Sequence, residues 1–361
     1  MNRMTKDQFH RDRIHLTLPV APNANHCLRT APEKNEVQAM IPAEAVAWMD
    51  NLRAGGKKIL SIDLCGPGDV LASWQATRAC LELLQDRLQG AGLSLTTLGL
   101  NGARHAAEMD ALGVDTITIL VDTINPETAA ELYRWIRPGK KTLPLARAAE
   151  QLIRDQEKAV QSFTEAGLKV TVRTTVRPGI NDNEIMAIAE KMAGLGATAM
   201  EIAGQGTEPE HFAAQVSGYI KAMAFQPEPE LPPYGTPKTG FQPEMPKPTS
   251  DRPNVAVASS SGMDVDLHLG QAGKLLIYGP RDDGLPCLLE SRETPPAGSP
   301  DRWRSLAAML PDCFALLASH AGAAPRQFLA EEGIRVILTE DQIEGMVDVL
   351  YGGGKKKKCK K

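Results

Sequence analysis

The side chains best able to hold a metal or a reactive group are six cysteines, at positions 27, 65, 80, 287, 313 and 359, and one histidine, His268, in a loop rich in Ser, Gly and Asp. The cysteines are scattered and contain no C-x-x-C pair, which fits neither a disulfide framework nor a zinc site. Cys27 and Cys313 are candidate metal ligands, with core packing as the alternative for each. Two further loops combine glycine with acidic or amide side chains. In Cys65-Gly66-Pro67-Gly68-Asp69 the glycines let backbone approach a ligand, and Asp69 can accept hydrogen bonds from an amine or hydroxyl; an ordinary turn is the other reading. In Arg177-Pro178-Gly179-Ile180-Asn181-Asp182, Asp182 can cap the helical stretch that follows.

These loops matter because of what precedes them. Ile59 to Leu64, Leu93 to Leu98, Thr116 to Val121, Leu168 to Thr174 and Ala199 to Ile202 are short apolar runs that read as buried strands. Between them Leu81, Leu84 and Leu88, or Ile153, Val160 and Phe163, recur at helical spacing, so each helix can lay one apolar stripe on a sheet. With the run near Ile14 this makes six βα units, expected to form a partial parallel (β/α)6 barrel of the TIM type. In such folds ligands meet the loops at strand C-termini, where the Cys65–Asp69 and Arg177–Asp182 segments fall.

Composition divides the chain. Nine of its 26 prolines lie between Gln226 and Pro253, a density that forbids regular helix and central strand alike. The expected organisation is a barrel over residues 1–225, a linker over 226–253, a second domain over 254–351 and a Gly/Lys tail over 352–361. The tail carries six lysines in KKKKCKK although the whole chain has a net charge of −4. A solvated appendage is expected there, with attraction to an anionic partner as the alternative. No nucleic-acid or membrane partner is indicated. The polar start, MNRMTKDQFHRDR, and the lack of any apolar run of bilayer length make the cytoplasm the expected location.

RIHL with LPVAP near the start, GPGD, LGVDTITILVDTINPETAAELYRWIR, the helix containing LIRDQ, and VRPGINDNEI together resemble the NifB family of radical-SAM proteins over about residues 10 to 205. That family builds the iron-sulfur-carbide core of the nitrogenase cofactor, transferring a methyl group from one S-adenosylmethionine and using a radical from another. The resemblance implies that Gly66, Gly68 and Asp69 lie beside S-adenosylmethionine. It also implies a C-x-x-x-C-x-x-C loop, where this sequence has NANHCLRTAPEKN with a single thiol. One thiolate cannot hold a four-iron cluster, so radical chemistry is not expected of this chain alone.

In the second domain, Val255 to Ala258, Leu275 to Tyr278, Phe314 to Ala318 and Val336 to Leu338 read as strands and Arg302 to Leu310, Gln327 to Glu332 and Gln342 to Tyr351 as helices, a small three-layer α/β domain of ribonuclease-H-like type. VAVASSSGMDVDLHLGQAGKLLIY with PDCFALLASHAGAAPRQFLAEEGIRVI resembles the NifX and NafY family of iron-molybdenum cofactor-binding modules. That resemblance places the family's cofactor-holding histidine on His268, with Leu269 in place of a phenylalanine, and matches Cys313 to an Asp-Cys pair. It implies an imidazole ligand to iron or molybdenum, with backbone N–H groups of Ser259, Ser260, Ser261 and Gly262 facing the sulfides of a cluster. The expected function is to bind or carry an iron-sulfur cofactor precursor, or the iron-molybdenum cofactor, among nitrogenase maturation proteins. A radical-SAM synthase with an atypical ligand set and a metal-free scaffold are the rival readings.

Overall fold

A computed structural model describes residues 13–30, 39–139, 143–204, 208–225, 245–280 and 286–352. The linker expectation for residues 226–244 and the lysine tail lie outside the described residues. The chain separates into two compact units, Met1–Phe241 and Gln242–Lys361. Among the described residues no helix is long and apolar enough to cross a membrane.

In the first unit, strands β1 (Arg13–Ala21), β3 (Lys58–Pro67), β4 (Gly92–Thr97), β5 (Thr116–Leu120), β7 (Lys169–Val176), β8 (Ala199–Gly204) and β9 (Lys221–Ala224) form one parallel sheet in the order β1-β3-β4-β5-β7-β8-β9. Helices α1 (Pro42–Ala54), α2 (Trp74–Leu84), α3 (Ala106–Ala111), α4 (Pro126–Leu132), α5 (Leu145–Glu165), α6 (Ile185–Gly194) and α7 (Pro209–Val216) fall between them. The partial barrel is therefore present with seven strands among the described residues, one more than the six expected. The addition is β9, whose four residues, KAMA, lie at the sheet edge with none of them buried.

The strands alternate. Val170, Val172 and Val176 of β7 are fully buried in the core that the helices cover, while Thr171, Arg173 and Thr175 between them are only partly buried. The opposite face of the sheet is accordingly polar: Asp63 accepts from Ser94 and Thr96 at 2.9 and 2.8 Å, and Arg173 pairs with Glu201 at 2.7 Å. A short antiparallel ribbon of β2 (His26–Leu28) and β6 (Tyr133–Ile136) joins the segment after β1 to the segment after α4.

The second unit has a five-stranded sheet of β10 (Asn254–Val257), β11 (Lys274–Pro280), β12 (Pro286–Glu293), β13 (Cys313–Ala318) and β14 (Arg335–Leu338), ordered β12-β11-β10-β13-β14. β10, β13 and β14 are parallel, and β11 and β12 are antiparallel additions on the other side of β10. Ala256 and Ala258 face one apolar cluster with α8 (Arg302–Ala308) and α9 (Ala323–Glu331), whereas Val255 and Val257 face another with α10 (Ile343–Leu350). This is the expected three-layer α/β arrangement. β12 was not expected, because residues Leu288 to Ser291 are exposed and give no buried face to read.

Candidate functional site

At the C-terminal ends of the barrel strands the segment after β1 closes onto the GPGD loop. Gly68 N–H donates to Ala21 O at 2.7 Å and Asp69 N–H to Asn23 O at 2.8 Å. A Cβ on Gly68 would stand 2.2 Å from Asn23 O, so the approach admits only glycine. Asp69 is 2% exposed, and its carboxylate accepts from Leu71 N–H (2.9 Å), Leu98 N–H (2.7 Å) and the Thr97 hydroxyl (2.9 Å). In this structure both residues join β1, β3 and β4. A Cβ on Gly66, two residues earlier, would meet only the backbone of Gly68, at 3.4 Å.

Around this loop lies a buried polar network that sequence reasoning missed. Asp122, after β5, pairs with Arg177 at 2.6 Å and accepts from Thr175 N–H at 2.8 Å. Asn181 is fully buried; its Nδ2 donates to Asp122 O and Thr175 O, and its Oδ1 accepts from Arg177 N–H. The Arg177–Asp182 turn is thereby pinned to the sheet, and Arg177 Nε is left without a partner among the described residues. On the β2–β6 ribbon, His26 Nδ1 lies 2.9 Å from Asn25 Oδ1 and its ring meets Tyr133 edge-on at 5.7 Å. Burial holds the His26 pKa below its ordinary value against the opposing pull of Asp69 and Asp122, and burial raises that of Tyr133 well above its own.

A radical-SAM site needs three thiolates on a four-iron cluster. The residues present do not fit it. Cys27 pairs with Trp135 in the β2–β6 ribbon and directs its Sγ to Leu28 O at 3.4 Å. Cys65 and Cys80 are the remaining thiols before the prolines, Cys80 is fully buried on α2, and burial pushes both up to about 12. Among the described residues no three His, Cys, Asp or Glu side chains come close enough to hold a metal ion.

In the second unit His268 is exposed on the loop between β10 and β11. The next residue, Leu269, is 1% exposed in the apolar cluster and donates its N–H to His320 O at 2.8 Å. Arg302 secures the loop from behind, donating to Gly270 O at 2.7 Å with its guanidinium over Trp303. Leu269 anchors and His268 projects. Gly270 N–H donates to His268 Nδ1 at 2.9 Å, so in the neutral ring the proton resides on Nε2.

In the serine loop Ser260 N–H and Ser261 N–H both donate to the Asp266 carboxylate, at 2.7 and 3.3 Å, and Gly262 N–H donates to Ser259 Oγ at 2.9 Å. Asp266 thus takes the amides of Ser260 and Ser261, and these hydrogen bonds, that of Ser260 N–H first, hold its carboxyl below the usual range. Cys313 is fully buried in the core of the sheet, and burial pushes its thiol up to about 12. Its neighbour Asp312 forms a two-pronged pair with Arg292 at 2.6 and 2.8 Å, which lowers its pKa to about 2.

The fold is a partial parallel α/β barrel joined to a three-layer α/β module. Residues 24–192 match the radical SAM superfamily, and residues 252–353 match the dinitrogenase iron-molybdenum cofactor family. The chain is 30% identical over 379 residues to the FeMo cofactor biosynthesis protein NifB of Chlorobaculum tepidum, covering 94% of this chain and 89% of the relative. To the protein of the same name from Klebsiella pneumoniae it is 25% identical over 397 residues, with 89% and 83% covered. The chain belongs to the NifB family of FeMo cofactor biosynthesis proteins. Among solved structures, the hydrogenase maturase HydG superposes with a TM-score of 0.40 at 10% identity, over 61% of this chain and 56% of that one.

Proposed function

We propose that this protein binds and carries an iron-sulfur cofactor precursor through its second unit, and does not assemble the cofactor core in its barrel. The observation that carries this reading is the donor set of the barrel: one thiol, Cys27, stands in the segment where the chemistry requires three. The GPGD loop supports it, since its Asp69 carboxylate and the amides of Gly68 and Asp69 are committed to the chain itself. The exposed imidazole of His268, presented on a loop anchored by Leu269 and Arg302, supports a carrying role in the second unit. Cargo would pass to and from other nitrogenase maturation proteins, and the cytoplasm is the proposed location.

The test is anaerobic reconstitution with iron and sulfide, followed by iron counting, electron paramagnetic resonance and an assay for 5′-deoxyadenosine under strong reductant. The expected result is no four-iron signal assignable to the barrel and no 5′-deoxyadenosine, with isolated iron-molybdenum cofactor captured by the full chain. Catalytic formation of 5′-deoxyadenosine would establish the rival synthase reading. Failure to capture cofactor would leave the scaffold reading.

A further inference from the structure

The carboxyl ends of β10 and β13 meet where the sheet's connections diverge. From β10 the chain runs outward to β11 and β12, then returns to the opposite side as β13 and β14. Loops leaving two neighbouring parallel strands in opposite directions open a crevice, and open α/β sheets bind ligands at such points. His268 lies on the loop after β10. The loop after β13 brings a second imidazole to the same place, because His320 follows Ser319 directly after the strand.

The two histidines are register partners in a parallel bridge: Leu269 N–H donates to His320 O at 2.8 Å and Ser319 N–H to Leu267 O at 3.0 Å. Directly paired residues project from the same face, so the two side chains leave the paired backbone on the same side. Both are exposed. Their preparation for ligation differs. His268 has its Nδ1 lone pair engaged by Gly270 N–H, so its Nε2 carries the proton and cannot donate to a metal until that hydrogen bond is released. His320 has the Glu340 carboxylate 4.0 Å from its Nδ1.

We propose that His320 is a second metal ligand beside His268, with Glu340 as its positioning residue. The proposal rests on the reading of the second unit as a cofactor carrier. Two imidazoles are too few for a mononuclear ion, which needs about four donors. They suit a metal-sulfur cluster, which brings its own sulfides and lacks only terminal ligands. The cargo class is therefore a preformed cluster rather than a free divalent cation.

The experiment titrates isolated iron-molybdenum cofactor into the full chain and into His268→Ala, His320→Ala and Glu340→Gln, with affinity and nitrogen hyperfine couplings read by pulsed electron paramagnetic resonance. All three side chains are exposed, so folding is preserved. Expected are two coupled imidazole nitrogens in the parent, one in each histidine variant, a loss of about tenfold or more in affinity for His320→Ala, and a smaller loss for Glu340→Gln. Nitrogen NMR of the protein without cofactor should show the proton on Nε2 of His268. If the parent binds with one nitrogen and His320→Ala binds within twofold of it, the second ligand is refuted while the carrier reading stands. If the parent captures no cofactor, both fall.

Discussion

Replacing Asp69 separates a ligand-binding loop from a structural one. The carboxylate accepts from the buried N–H groups of Leu71 and Leu98 and from the hydroxyl of Thr97. Asp69→Ala leaves the two amides without acceptors in a site closed to water, while the hydroxyl can rotate to another partner. Each orphaned buried donor costs about 1–3 kcal/mol, so the variant should lose roughly 2–6 kcal/mol. Asp69→Asn keeps one acceptor oxygen but turns an NH2 toward donors, and should lose roughly half as much. Losses of that size are a large part of the roughly 5–15 kcal/mol that stabilises a typical domain. Urea unfolding followed by tryptophan fluorescence reports mainly on the first unit, which holds Trp48, Trp74 and Trp135 against Trp303 in the second. The stability order should be parent, Asn, Ala. A loss under about 1 kcal/mol for Asp69→Ala would refute the structural account and return the carboxylate to a ligand-binding role.

Burial holds His26 below its ordinary pKa of 6.5, so the unfolded chain binds a proton that the folded one refuses. The stability this confers is complete above pH 6.5 and is lost as the pH falls from there through the folded-state pKa. His26→Gln should flatten that acid slope in pH-dependent unfolding, leaving the part due to His105, which burial shifts the same way; an unchanged slope would remove His26 from the account. A fragment of residues 245–352 should fold alone with one cooperative transition, because its apolar clusters are internal to it; Met245 packs on the cluster of Val255 and Val257, so a fragment starting at Arg252 should be less stable, and equal stability would contradict that packing. Asp266→Ala should strengthen capture of isolated iron-molybdenum cofactor by freeing the amides of Ser260 and Ser261 and removing a nearby negative charge; weaker capture would show that Asp266 orders the loop instead of blocking it.

The helices and most strands were legible because their signals are local. Ile153, Val160 and Phe163 recur at helical spacing, and all three are buried on α5. The apolar run Thr116 to Val121 is β5 within a residue. Among the strands that escaped, β2 and β6 form a short ribbon of their own, and β9 and β12 lie at sheet edges, where one strand neighbour and an exposed face remove the apolar constraint that makes a strand visible. Edges are specified by pairing, and pairing partners are distant in sequence.

The same distinction separates the parts of the site that could be read from those that could not. Composition shows that a Gly-Pro-Gly-Asp or Ser-Ser-Ser-Gly loop has groups able to meet a ligand, but whether those groups are free depends on acceptors elsewhere. Asp69 reaches residues 28 and 29 positions away, and the serine-loop amides are taken by an aspartate whose role becomes visible only once the loop curls. His320 is the converse case. Its sequence neighbours, LLASHAGAA, carry no hint of a metal site, and the proposal for it rests on β13 pairing with β10 and setting it opposite His268. A binding site at a switch point is assembled from loops that follow different strands, so the residue a motif names is half of it and the register of the sheet supplies the rest.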